Sequence, residues 1–316
     1  MRLTRRINSA VQFLYALCSR RGFYRFLIGR WKFISDIDLA VDILGTEFFR
    51  HKTYPLPLPV KEIRSVLVIS PHQDDETIGA GGTLLLAGRA GVKIDVLYIT
   101  DGMQVGLYPA GESIEMRDRE AQEVCDRLGA SIHRLGISNY EPRPTKDDLR
   151  TFADIFNGLK PQVVMIPWVL DRPARHRLTN HLLWLANRCS ALPNCEVWGY
   201  QVHNTLYPNG YVDITEVADD KREMLRCYES QNRFVRYDHL AMGMSAWNLR
   251  FLPGYLQNEA RYVEVFFRLS MQEHLSLVES FYFKELSAVY RGSSSVLSGM
   301  SAIHNAVMED ASGRAK

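Results

Sequence analysis

From Ser65 onward, short apolar runs alternate with longer amphipathic ones, and this alternation restricts the fold more than any other feature of the chain. Val66-Leu-Val-Ile-Ser70 reads as a buried strand, Thr77 to Ala90 as a helix with Gly79, Gly81 and Gly82 near its start, and Lys93 to Thr100 as a second strand. Ser113 to Leu128 reads as a helix stopped by Gly129, Ile132 to Leu135 as a third strand, and Asp147 to Gly158 as a helix. Gln162 to Pro167 reads as a fourth strand and Arg177 to Cys189 as a further helix. This spacing predicts an α/β domain of Rossmann-like form, a mostly parallel sheet with helices on both faces. Glu196–Val202, Val212–Ile214 and Arg261–Leu269 read as later strands. Thr215–Glu229, with Thr215 as N-cap, and Glu273–Tyr290 read as later helices. A length of 316 residues accommodates one large domain or two modest ones. With 46% hydrophobic and 23% charged residues, disorder throughout, collagen and coiled coil are excluded.

Residues 1–60 read as a helical extension. Leu3, Ile7, Val11, Leu14 and Cys18 form one apolar stripe at helical spacing; after Gly22, Phe23, Phe26, Leu27, Trp31 and Ile34 form a second. Tyr54-Pro-Leu-Pro-Leu-Pro59 is a proline-alternating linker. The main domain is expected over 61–290. Residues 291–316, rich in Ser and Gly with few apolar anchors, are expected to form a mobile tail.

Net charge is +2, unevenly spread. Eight of the 38 basic residues fall in residues 1–35, which hold no Asp or Glu, and the remaining 30 face 36 acidic side chains. A nucleic-acid partner is not expected from this balance. The basic stripe suits either packing on the main domain or peripheral attachment of residues 1–35 to an anionic membrane. No membrane span is expected: Ile7–Ser19, the longest uncharged run near the N-terminus, falls short of the ~20 residues a span needs. No small-residue cleavage site follows it, which disfavours a signal peptide. Five cysteines without regular spacing suggest a reducing, cytoplasmic setting rather than a disulfide framework, and Cys189 and Cys195 lack zinc-knuckle spacing.

The chemistry concentrates in Pro71-His-Gln-Asp-Asp-Glu76, directly after the first main-domain strand, where open α/β sheets bind ligands. His72, Asp74, Asp75 and Glu76 crowd four titratable groups at a buried strand end, which is costly without compensation. A divalent cation would supply it. A histidine nitrogen and a carboxylate oxygen suit zinc, which needs a third protein ligand and an open position for catalysis. The plainer alternative is a helix cap, since carboxylates favour a helix N-terminus.

Ser70-Pro-His-Gln-Asp-Asp-Glu-Thr-Ile-Gly-Ala-Gly-Gly82 resembles the signature of the LmbE-like, or PIG-L, de-N-acetylases, zinc enzymes that remove acetyl groups from N-acetylglucosaminyl conjugates. Gln73 stands where that family usually has proline. Thr100-Asp-Gly102, Arg117 with Glu120, Leu170-Asp-Arg-Pro-Ala-Arg-His176 and Lys221 followed by Ser230-Gln231 resemble later family segments, so the likeness runs from about 64 to 268. It implies His72, Asp75 and His176 as zinc ligands, Asp74 as general base, and Arg117 and Asp101 as substrate contacts. The implied substrate is an N-acetylated amino sugar on a glycoconjugate. His176 also follows the fourth strand, at the same sheet edge as His72; His181, about 140° further round a helix, reads as structural or exposed.

One position departs from the pattern. The family's second histidine, an acid or oxyanion stabiliser three residues before the metal histidine, is Pro173 here. His203, after the strand Glu196–Val202, is the candidate replacement. The departure leaves open a catalytically impaired carbohydrate-binding or scaffold protein. A magnesium-dependent phosphoryl or glycosyl transferase fits less well, because magnesium favours oxygen ligands and the chain lacks a GxxxxGK[ST] loop.

Overall fold

A computed structural model describes residues 54–104, 108–252 and 260–313. The expected helices within residues 1–35 lie outside the described residues. In chain order the strands are β1 (Leu56–Pro57), β2 (Ser65–Ser70), β3 (Lys93–Thr100), β4 (Ser131–Ile137), β5 (Val163–Pro167), β6 (Glu196–Tyr200), β7 (Gly210–Asp213) and β8 (Val263–Ser270). The helices are α1 (Asp75–Arg89), α2 (Ala110–Leu128), α3 (Lys146–Leu159), α4 (Ala174–Cys189), α5 (Ala218–Cys227), α6 (Glu229–Asn232), α7 (Tyr237–Trp247), α8 (Met271–Tyr282), α9 (Leu286–Val289) and α10 (Ser294–Gly313).

All eight strands form one sheet in the order β1-β7-β8-β6-β5-β2-β3-β4. Every neighbouring pair is parallel except those made by β8, which runs antiparallel to both β6 and β7. The central strands are apolar on both faces: Val66 to Ile69 and Val163 to Ile166 are all essentially inaccessible. Helices cover both faces, as such burial requires. After β2, β3 and β4 extend the sheet one way and β5 returns to the other side of β2. The chain thus reverses its winding between β2 and β5, and the carboxyl ends of these two strands flank a crevice.

Close approach fixes α1 over that crevice. A Cβ on Gly79 would lie 2.3 Å from Tyr200 Cδ2 and 2.8 Å from the Gln201 carbonyl oxygen, so only glycine lets the helix sit this near the end of β6. Further along, Glu264 of β8 accepts the Gly82 and Thr83 backbone N–H groups at 2.8 and 2.7 Å and pairs with buried Lys221 of α5 at 2.7 Å.

Five details differ from the sequence reading. Leu56–Pro57 of the proline-rich linker forms an edge strand; Leu56 donates its N–H to Asn209 and Leu58 donates to Tyr211, while prolines occupy positions that need no donor. Thr215 opens a 3-10 turn rather than capping the helix, and Glu273–Tyr290 divides into α8 and α9. The expected mobile tail over 291–316 is corrected: Ser294–Gly313 is helical and packs on α4. Val296, Met300, Ile303 and Val307 make a buried stripe, and Gly299 passes so close to the Pro142 carbonyl that a Cβ would lie 1.9 Å from it. Helix α7 was not foreseen. Among the described residues, no helix is long and apolar enough to cross a membrane.

Candidate metal and catalytic site

β2 delivers the chain into the crevice at Ser70, and a buried hydrogen-bond set turns it into α1. Glu76 accepts from the Ser70 hydroxyl at 3.0 Å, from the Asp74 N–H at 3.2 Å and from the Tyr228 hydroxyl. Glu76 is thereby spent on holding the turn, and burial raises its pKa. The turn leaves His72, Asp74 and Asp75 facing one cavity of about 180 Å³.

Asp75 is the centre of this arrangement. Its Oδ2 lies 2.9 Å from His72 Nδ1 and 3.3 Å from His176 Nε2, which comes from the first turn of α4 beyond β5. One ligand atom from each of these three residues lies within 4.8 Å of the others. Burial works against the Asp75 charge, but His176 and His72 outweigh it and hold the carboxyl well below the usual range. His176 is fully buried. Its Nδ1 is bound to Asp171 Oδ2 at 2.9 Å, which leaves Nε2 turned toward Asp75 without a hydrogen bond. Burial disfavours its protonation, yet Asp75 and Asp171 raise its pKa to about 10. Burial lowers the pKa of His72.

A buried imidazole nitrogen with no hydrogen bond, facing a carboxylate and a second imidazole, fits a metal. The other nitrogen fixed by a carboxylate is the usual outer support of a ligating histidine. Asp171 also accepts the backbone N–H groups of Arg172 and Asn204, both at 2.9 Å. Two nitrogens and one oxygen match the donor set of a zinc site that keeps a position open.

The flanks of the cavity carry the remaining groups. Asp74 lies 3.2 Å from Arg117 Nη2. Burial raises the Asp74 pKa to about 8, against the pull of Arg117. Arg117 also donates to the Gln73 carbonyl at 2.8 Å, and its buried Nε has no partner among the described residues. His203 is exposed on the loop after β6, with its ring 5.3 Å from that of His176, and lines the same cavity. Pro173 precedes α4 and offers no side-chain donor.

Asp101 is placed differently from expectation. It does not line the cavity; its Oδ1 accepts the N–H groups of Met103 and Asn139 at 3.0 and 2.9 Å. It acts on the site through Asn139, whose Oδ1 lies 3.1 Å from His72 Nε2. Sequence reasoning missed Asn139, Gln104 and Tyr237, all cavity-lining and none in a recognisable motif. Gln231, which bonds Gln104 at 2.7 Å, and Asp171 lay inside segments already singled out, but without an assigned role. His181 is buried, with Nδ1 2.9 Å from the Tyr290 hydroxyl and Nε2 3.1 Å from His304, a structural setting.

Fold and site together define an α/β protein with a His–Asp–His cluster at the carboxyl edge of its sheet. Within that class, residues 67–187 match the PIG-L family model, described as GlcNAc-PI de-N-acetylase, so the LmbE-like resemblance holds over this segment. The chain is 28% identical over 192 residues to the diacetylchitobiose deacetylase of Thermococcus kodakarensis, covering 55% of this chain and 72% of that one. It is 26% identical over 197 residues to the 4-oxalmesaconate hydratase of Pseudomonas putida, covering 55% and 76%. The N,N'-diacetylchitobiose deacetylase structure from Pyrococcus horikoshii shares the fold, with a TM-score of 0.57, 23% identity and coverage of 76% of this chain and 94% of that one. Relatives of this chain thus include both deacetylases and a hydratase.

Proposed function

We propose that the protein is a zinc-dependent hydrolase that removes an N-acetyl group from an amino-sugar glycoconjugate. The observation that carries this reading is the cavity itself. Asp74 and His203 flank the His72–Asp75–His176 cluster, and the outer wall carries neutral hydrogen-bonding groups, Gln104, Asn139, Gln231 and Tyr237. Arg117 is the only Arg or Lys among the described residues lining the cavity, and it is already paired with Asp74. Amides and a phenol suit sugar hydroxyls. A polycarboxylate of the kind a hydratase relative takes would call for more cationic groups.

His72, Asp75 and His176 would hold the zinc, which supplies polarisation of the amide carbonyl and lowers the pKa of water to about 7. Asp74 takes a proton from water as the oxygen attacks the carbonyl carbon. The C–N bond then breaks, its electron pair goes to nitrogen, and a proton must reach that nitrogen. Asp74 can return the proton it took, or His203 can supply one from the opposite flank. The products are acetate and a free amine. Arg117 holds Asp74 in place and, through its unpartnered Nε, offers a donor to the substrate. Residues 1–35 would add a peripheral hold on an anionic membrane.

Product analysis tests the reading. The full chain with zinc, given N-acetylglucosaminyl conjugates and, separately, unsaturated carboxylic acids, should release acetate from the first and leave the second unchanged. Water addition to the acids without acetate release would establish the hydratase alternative. Neither reaction, with zinc bound, would support the scaffold reading that Pro173 motivates.

A further inference from the structure

α7 has two unlike faces. Ala241, Met242, Ser245 and, just beyond, Asn248 are buried, and the helix packs on α1, α5 and β8. The opposite face is exposed. Leu240 and Trp247, seven residues apart and so nearly aligned along the helix, are 54% and 66% exposed. Phe234, in the turn leading into α7, is 51% exposed. Two large side chains exposed on one helix face, with a third in the turn before it, mark a contact surface rather than ordinary scatter.

The charge on this stretch is mostly basic. Within residues 230–251 the basic groups are Arg233, Arg236 and Arg250, with exposed His239 beside them, and the one acid is Asp238. Asp238 is buried and takes both hydrogen bonds of Arg236, at 2.8 and 2.9 Å. Arg233 and Arg250 have no acidic partner among the described residues; Arg250 instead stacks over the Trp247 ring, 4.8 Å from its centroid. Tryptophan, leucine and phenylalanine among unpaired arginines is the composition of a face that lies in the headgroup region of an anionic bilayer. The face also adjoins the active cavity: Gln231 and Tyr237, on either side of Phe234, both line it.

We infer that the outer face of α7, with Phe234, Leu240, Trp247, Arg233 and Arg250, docks on an anionic lipid bilayer and brings the cavity mouth to the membrane surface. This is a second contact, in the folded domain, separate from residues 1–35. It does not depend on the reaction assigned to the site, because its readout is lipid binding.

The test uses the full chain and phosphatidylcholine vesicles with and without phosphatidylglycerol. Binding should require phosphatidylglycerol and weaken with salt. Leu240→Ser with Trp247→Ser, both at exposed positions, should weaken it by about tenfold or more. In a Trp31→Phe background, brominated acyl chains should quench the Trp247 indole, since Trp168, Trp184 and Trp198 are at most 5% exposed. Unchanged vesicle affinity in the double variant, or no quenching of Trp247, would overturn the inference and leave residues 1–35 as the sole contact. Absence of vesicle binding, with self-association that the double variant abolishes, would also overturn it and assign the face to a second copy of the chain.

Discussion

Asp74 and Asp75 are neighbours with divergent surroundings. Asp75 sits between two imidazoles, whereas Asp74 faces the cavity against Arg117. This separation predicts that Asp74→Asn keeps the metal and loses turnover by roughly 10²–10⁴, as removal of a general base does. Near-normal acetate release by that variant would remove Asp74 from the role. Asp171 is a positioning residue that fixes His176 Nδ1, so Asp171→Asn should lower metal affinity by roughly 10–100-fold. Metal titration by calorimetry reads this directly, and unchanged affinity would count against the ligand set. His203 is tested through the kinetic split. If it protonates the leaving nitrogen, His203→Ala lowers kcat and kcat/KM together with little change in KM; if Asp74 serves both steps, the variant is nearly silent.

At the level of elements, the Lys221–Glu264 pair joins α1, α5 and β8. Glu264 also accepts the Thr83 hydroxyl at 2.6 Å, and Lys221 donates to the Ile78 carbonyl at 3.0 Å. Replacing Lys221 by Met leaves a buried carboxylate unpaired and should cost about 3–5 kcal/mol in urea unfolding. A loss below about 1 kcal/mol, typical of exposed pairs, would show the bridge to be dispensable. The parallel strands were legible because burial on both faces writes them as unbroken runs such as Val66–Ile69. The turn at His72–Glu76 was legible because its groups are contiguous. α10 was not, since serines and glycines interrupt its apolar positions and its apolar stripe matters only against α4. α7 was missed because nothing local distinguishes its exposed Leu240 and Trp247 from core residues. Asn139 and Tyr237 reach the cavity from loops and helices distant in sequence, a convergence that only the sheet order creates.

Across the whole molecule, the site lies where β2 and β5 part, so the fold supplies the crevice and the sequence after each strand supplies the chemistry. Buried neutral histidines tie stability to pH. Burial lowers the pKa of His274 from the ordinary 6.5 to about 4, so the unfolded chain binds a proton that the folded one refuses. Its contribution is therefore intact above about pH 6.5 and is lost as pH falls toward about 4, by at most about 3 kcal/mol. His274→Leu should flatten the pH dependence of urea stability across that window; an unchanged slope would show that His274 is not the titrating group. The central claim is that the His72–Asp75–His176 cluster is a catalytic metal centre. Its most direct test is acetate release from an N-acetylglucosaminyl conjugate by chelator-treated full chain as zinc is added back. No release is expected without metal, with a linear rise that breaks at one equivalent per chain and loss of the break in His176→Ala. Release that survives chelation, or that His176→Ala leaves intact, would contradict it.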